Sequence, residues 1–146
     1  MFGDDQVVWA KCTLGKYCGS LAESLWRVGR RDDAWKMLDE AFEHIQSGER
    51  HVEAELLRYR GDFHLDLGEL DKAEADYLES LAVAVRQQAK SYELRTTMSL
   101  GRLWVRRGEI AKARAALSIV YNWFTEGFGT PDLTEAKQLL QEWSLP

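Results

Sequence analysis

Glycine, four residues, alanine recurs three times in this chain: Gly29 to Ala34, Gly68 to Ala73 and Gly108 to Ala113. The intervals of 39 and 40 residues are those of a helical hairpin repeated along the chain. Such a unit cannot bury its apolar face alone, so neighbours must stack and share one core. That architecture points to binding rather than chemistry.

The helix after each glycine carries the same apolar stripe at spacings 0, 4, 7, 8 and 11, one buried helical face. It reads Ala34, Leu38, Ala41, Phe42 and Ile45 in the first unit. The second has Ala73, Tyr77, Ser80, Leu81 and Ala84, and the third Ala113, Leu117, Val120, Tyr121 and Phe124. Seven residues before each glycine stands a small residue, Ala22, Gly61 or Gly101, which lets a second helix approach closely. The repeat glycines fall where a helix must stop and reverse, and Asp32 and Asp71 then sit in the first turn of the next helix, facing its free N–H groups. This pattern predicts helices near 14–28, 32–47, 51–67, 71–88, 91–107 and 111–125. The boundaries between units fall at Ser47, Gly48 and Glu49 and around Ala89 to Ser91.

After the breaker EGFGTP at 126–131, Thr130 or Asp132 can cap a last helix, with Asp132 and Glu135 spaced as a capping box. Leu133, Ala136, Leu140 and Trp143 fall on one of its faces, as a lid over a stack requires. The expected fold is all-α: a solenoid of three antiparallel helix pairs (14–48, 49–88, 89–125) plus a C-terminal capping helix (131–143), in one domain of 146 residues. Two prolines and abundant Ala, Leu, Glu and Arg suit helix throughout.

The formal charge of −5 gives a field that repels a phosphate backbone, so nucleic acid is not the expected partner. The chain has no apolar run long enough to span a bilayer and no signal-peptide order at its start, which makes a cytoplasmic protein without a membrane partner the expectation. Cys12 and Cys18 lack a second pair or a nearby histidine, and are expected as buried thiols. His44, His51 and His64 have no ligand spacing, so neither metal nor cofactor is expected. The chain has no GxSxG elbow, no GxxxxGK[ST] loop and no paired acid and base of catalytic type. Enzymatic chemistry is therefore not expected.

Alternating helices with glycine and alanine at these places resemble tetratricopeptide repeats, though with a period longer than that family's usual 34 or so residues. Four strings resemble something more particular: EAELLRYRGD (53–62), AKSYELR (89–95), SLGRLW (99–104) and WFTEGFGTPDL (123–133). They look like the C-terminal tetratricopeptide-like region of bacterial signalling proteins that carry, upstream, a nucleotide-cyclase homology domain and an AAA-type ATPase domain. Tyr92 stands where that family usually has tryptophan, and Gly129 where it often has aspartate. The resemblance implies a protein-interaction or sensory module. Cyclase or ATPase activity would belong to the upstream domains.

Superposing the first helix of each unit by the 39- and 40-residue shifts puts charges in three rows: Lys16, Glu55, Arg95; Glu23, Asp62, Arg102; Arg27, Asp66, Arg106. Spacings of 7 and 4 place all three rows on one helix face, the concave groove of such a stack. Either neighbouring helices pair these charges and so set register, or Arg58, Arg95, Arg102 and Arg106 dock a carboxylate-bearing peptide or ligand. Of the six tryptophans, most are expected in the core, Trp104 among them; Trp26 and Trp35 are expected partly exposed, with Trp26 the interface candidate. The partner is expected to be a protein or peptide. A small ligand in the same groove, or self-association through the apolar N-terminal end (Phe2, Val7, Val8, Trp9), are the alternatives.

Overall fold

Seven α-helices succeed one another in the computed structural model, which describes residues 4–46 and 50–146, with side chains from residue 14. They are α1 (Asp4–Arg27), α2 (Arg31–Gln46), α3 (Glu53–Asp66), α4 (Leu70–Arg86), α5 (Lys90–Arg106), α6 (Ile110–Tyr121) and α7 (Pro131–Glu142). One 3-10 turn, Arg50–Val52, leads into α3. Helices α1 and α2, α3 and α4, and α5 and α6 pack as hairpins, and α7 closes on α5 and α6. This is the all-α solenoid with a capping helix that the periodicity predicts.

Each hairpin turns by the same device. At the first turn the Arg30 N–H donates to the Leu25 carbonyl at 2.9 Å and the Gly29 N–H to Trp26 at 3.1 Å; the Glu69 and Glu109 N–H groups repeat the first of these bonds, to His64 and Trp104. Gly29, Gly68 and Gly108 take φ of 87°, 78° and 83°, the left-handed conformation this helix end demands. The fourth such turn joins α4 to α5 with Gln88 in the glycine's place, at φ 56°, and Ala89 N–H reaching the Ala84 carbonyl at 2.9 Å. Without a glycine there, the sequence marks this boundary only faintly.

The apolar stripes form the core as their spacing requires. Ala34, Leu38, Ala41 and Ile45 are buried with Trp26, Leu56, Tyr59 and Phe63 of neighbouring helices. Tyr77 and Leu117 join Leu94, Leu103, Leu133, Ala136 and Trp143 in a second cluster that ties the later units to α7. The small residues make room for specific partners: a Cβ on Gly61 would come within 2.5 Å of the Tyr77 ring, and one on Gly101 within 2.5 Å of the Trp143 indole.

Several expectations need correction. Helix α1 begins at Asp4, ten residues before the repeat pattern does, because nothing in that stretch breaks a helix and two aspartates favour its positive end. The side chains of Val7, Val8, Trp9 and Cys12, and all of Phe2 and of Ser47 to Glu49, lie outside the described residues. Helix α6 stops at Tyr121 rather than near 125, its end tightening into i to i+3 bonds from Trp123 to Val120 and from Phe124 to Tyr121. In α7 Leu139 is buried beside Leu133, Ala136 and Trp143, and Leu140 packs against the same cluster partly buried. Cys18 is a half-buried free thiol, its pKa raised by burial and by Glu40.

Candidate functional site: a charged concave groove

The spacing that gives each first helix its groove-facing stripe brings α1, α3 and α5 side by side, and α7 contributes its first turn. Between them lies a groove of about 540 Å³. Its lining includes Glu23, Trp26, Arg27, Glu55, Arg58, Asp62, Asp66, Arg95 and Arg102, nine of the eleven candidate groove residues: seven from the three rows, with Trp26 and Arg58. Lys16 faces an adjoining recess of about 330 Å³ with Glu55, Tyr59, Tyr92 and Arg95. Arg106 lies just outside, donating to the Leu65 carbonyl at 3.3 Å.

Glu55 is the centre of the first row. Its Oε1 accepts from Arg58 at 2.6 Å, one turn along α3, and from Arg95 of α5 at 3.2 Å. Burial disfavours the charged form, but the hydrogen bonds and charges of Arg58 and Arg95 outweigh it and hold the Glu55 carboxyl below the usual range. The guanidinium of Arg58 also bonds Asp62 at 3.2 Å. Burial opposes its charge as well, yet Glu55 and Asp62 raise its pKa overall. The nearby Tyr59 hydroxyl is pushed up to about 12, first by burial and then by the Glu55 charge.

The second and third rows do not pair across units. Asp62 accepts from Arg58 and from the Tyr77 hydroxyl, and its pKa is raised because burial exceeds what Arg58, Tyr77 and the Arg102 charge return. Arg102 turns instead to Glu135 of α7. Asp66 accepts the Trp26 indole N–H at 2.6 Å and has no ion pair among the described residues. Arg27 bonds Glu23 on its own helix.

Two corrections follow. Trp26 is 8% exposed rather than a surface anchor, because its ring stacks on Phe63 with centroids 4.2 Å apart while Arg31 covers it at 4.8 Å. Its indole N–H meets Asp66 in the groove. Trp35 is partly exposed and Trp104 buried, as expected. The second correction concerns α7: Thr130 holds the N-cap position without a side-chain cap bond, and the pair read as a capping box serves the groove. Asp132 binds Arg95 at 2.7 Å, and Glu135 binds Arg102. Sequence reasoning missed these two because α7 lies outside the 40-residue period. Tyr59 was legible, since 55, 59, 62 and 66 share one face.

Among the described residues the lining holds six carboxylates, Glu23, Glu55, Asp62, Asp66, Asp132 and Glu135, against four guanidinia, Arg27, Arg58, Arg95 and Arg102. Each of the four already has a carboxylate of the chain itself. The described residues hold no cluster of side chains able to bind a metal ion and no helix long and apolar enough to cross a membrane.

A search of curated proteins found no match. The family model described as tetratricopeptide repeat matches residues 94–118, the hairpin of α5 and α6 around Gly108. Repeats of that family generally mediate protein–protein interaction and are typically non-catalytic. With three such hairpins in register and a lid, the fold is an all-α, tetratricopeptide-like solenoid.

Proposed function

We propose that this chain is a non-catalytic interaction or scaffolding module that holds a segment of a protein partner in its concave groove. The supporting observation is the state of the groove's charges. Every lining arginine is met by a carboxylate of the chain, and acid remains in excess, with Asp66 lacking a cation. A carboxylate-bearing partner would compete with Glu23, Glu55, Asp132 or Glu135 for a guanidinium. A partner offering lysine or arginine beside Asp66 displaces nothing, and the partly buried Leu65 supplies apolar contact alongside. The resemblance of the four strings supports a place in a cytoplasmic bacterial signalling protein.

Chemical-shift titration of labelled protein with two short synthetic peptides, one arginine-rich and one glutamate-rich, tests this reading. The arginine-rich peptide is expected to shift the amides around Asp62 and Asp66, and Asp66→Lys to abolish the effect with helicity unchanged. Stronger shifts from the glutamate-rich peptide would return the role to Arg58, Arg95, Arg102 and Arg106. Silence from both would leave the groove without a peptide-binding role. Its volume also lies within the range of small-ligand sites, so a metabolite thermal-shift screen separates the sensor alternative.

A further inference from the structure

Two charges stand at opposite ends of the groove, and neither is spent within the chain. Among the described residues Asp66, exposed at the end of α3, accepts the Trp26 indole N–H and pairs with no cation. Its row partners turn elsewhere, Arg27 to Glu23 and Arg106 to the Leu65 carbonyl. At the other end Lys16, exposed on α1, lines the recess that continues the groove past Glu55, Tyr59 and Arg95, and it forms no ion pair among the described residues. The carboxylate of that recess, Glu55, is already held by Arg58 and Arg95. An uncommitted cation thus marks one end, with Ser20 and Tyr92 lining the same recess, and an uncommitted carboxylate marks the other.

We propose that groove and recess together hold one extended segment of a protein partner carrying both signs of charge: lysine or arginine beside Asp66 and, about five residues away, aspartate or glutamate at Lys16. Asp66 stands eleven residues beyond Glu55 on α3, and Glu55 shares its row with Lys16, so the two anchors are about 16 Å apart along the helices. About five residues of extended chain cover that reach. The first turn of α7 already stands over α5 through Asp132 on Arg95 and Glu135 on Arg102, which leaves the strip between α1 and α3. Such a strip, between axes about 8–10 Å apart, suits one extended chain rather than a helix roughly 10–12 Å across. Charge also selects against other segments: an all-basic one sets like charge on Lys16, an all-acidic one on Asp66, and adjacent opposite charges reach one anchor alone. The proposal rests on the reading of the groove as a seat for a basic segment, and adds the second anchor, which fixes which end lies where.

Three synthetic peptides, equal in length, capped at both ends and otherwise neutral, are titrated into labelled protein: one with an arginine and a glutamate at that spacing, one with the same two residues adjacent, and one with two arginines. The spaced peptide is expected to bind about three- to five-fold more tightly than the adjacent one, the worth of one exposed ion pair. Lys16→Glu, a change at an exposed side chain, is expected to cancel that advantage and to strengthen binding of the two-arginine peptide. A nitroxide beside the glutamate of the spaced peptide should broaden the Lys16 and Ser20 amides more than that of Asp66. Equal binding of the two mixed peptides, an advantage that survives Lys16→Glu, or stronger broadening at Asp66 overturns the second anchor, and the basic-segment reading stands if the two-arginine peptide still shifts the Asp66 amide. If no peptide shifts it, both fall.

Discussion

The ring of Tyr77 occupies the space where any side chain on Gly61 would begin, its Cε1 2.5 Å from that position. Tyr77 cannot swing away, since it is fully buried and its hydroxyl is held by Asp62. Gly61→Leu is therefore expected to destabilise the fold by about 2–4 kcal/mol through overpacking. Gly61→Ala should cost less, because alanine's better helix propensity returns about 1 kcal/mol. Urea unfolding of the two variants checks the order.

Gln88 does the work of a glycine at φ 56°. Gln88→Gly is expected to stabilise by about 0.5–1 kcal/mol, as the left-handed conformation no longer crowds a Cβ. Gly68→Ala, at the matching turn, should lose about 1 kcal/mol. Opposite shifts in melting temperature would be seen if the two turns are equivalent.

Glu55 and Asp62 answer acid in opposite senses. With its folded pKa below the ordinary 4.5, Glu55 contributes stability that is present above that value and lost as pH falls through the lower folded one. Asp62, raised above 3.8, contributes stability that is complete below that value and is lost as pH rises through its folded one. Unfolding midpoints measured against pH should lose part of their acid limb in Glu55→Gln and part of their decline at higher pH in Asp62→Asn. Glu55→Ala, which strips a largely buried Arg58 of its main partner, is expected to cost on the order of 3 kcal/mol.

Glu135 and Arg102 are both over a third exposed, so their pairing is worth less than about 1 kcal/mol. Glu135→Gln should leave stability nearly unchanged while freeing a guanidinium in the groove. Binding of a glutamate-rich peptide should strengthen in this variant relative to the unmodified protein, read by the same shift titration. Arg102→Ala should remove that gain with helicity intact.

How far the sequence carried depended on period. Gly29, Gly68 and Gly108 with their stripes made the three hairpins legible, and the 40-residue shift placed Glu55 opposite Arg95, which do meet at 3.2 Å. Asp62 and Arg102 share the groove but bond elsewhere, because Tyr77 and Glu135 compete for them, and neither competitor lies on a first helix of a unit. Trp26 departs from the expectation because its cover comes from Phe63 of the next unit and Arg31 across its own hairpin, contacts that no spacing within α1 encodes. Asp132 and Glu135 match a local motif, and only the docking angle of α7 decides that they serve another helix.

The indole of Trp143, seated against Gly101, has a consequence for how α7 is held. It fills the ground that α5 offers to its neighbour, so α7 is keyed to the third hairpin at one spot. A variant freed of that ring would leave α7 resting there without its key.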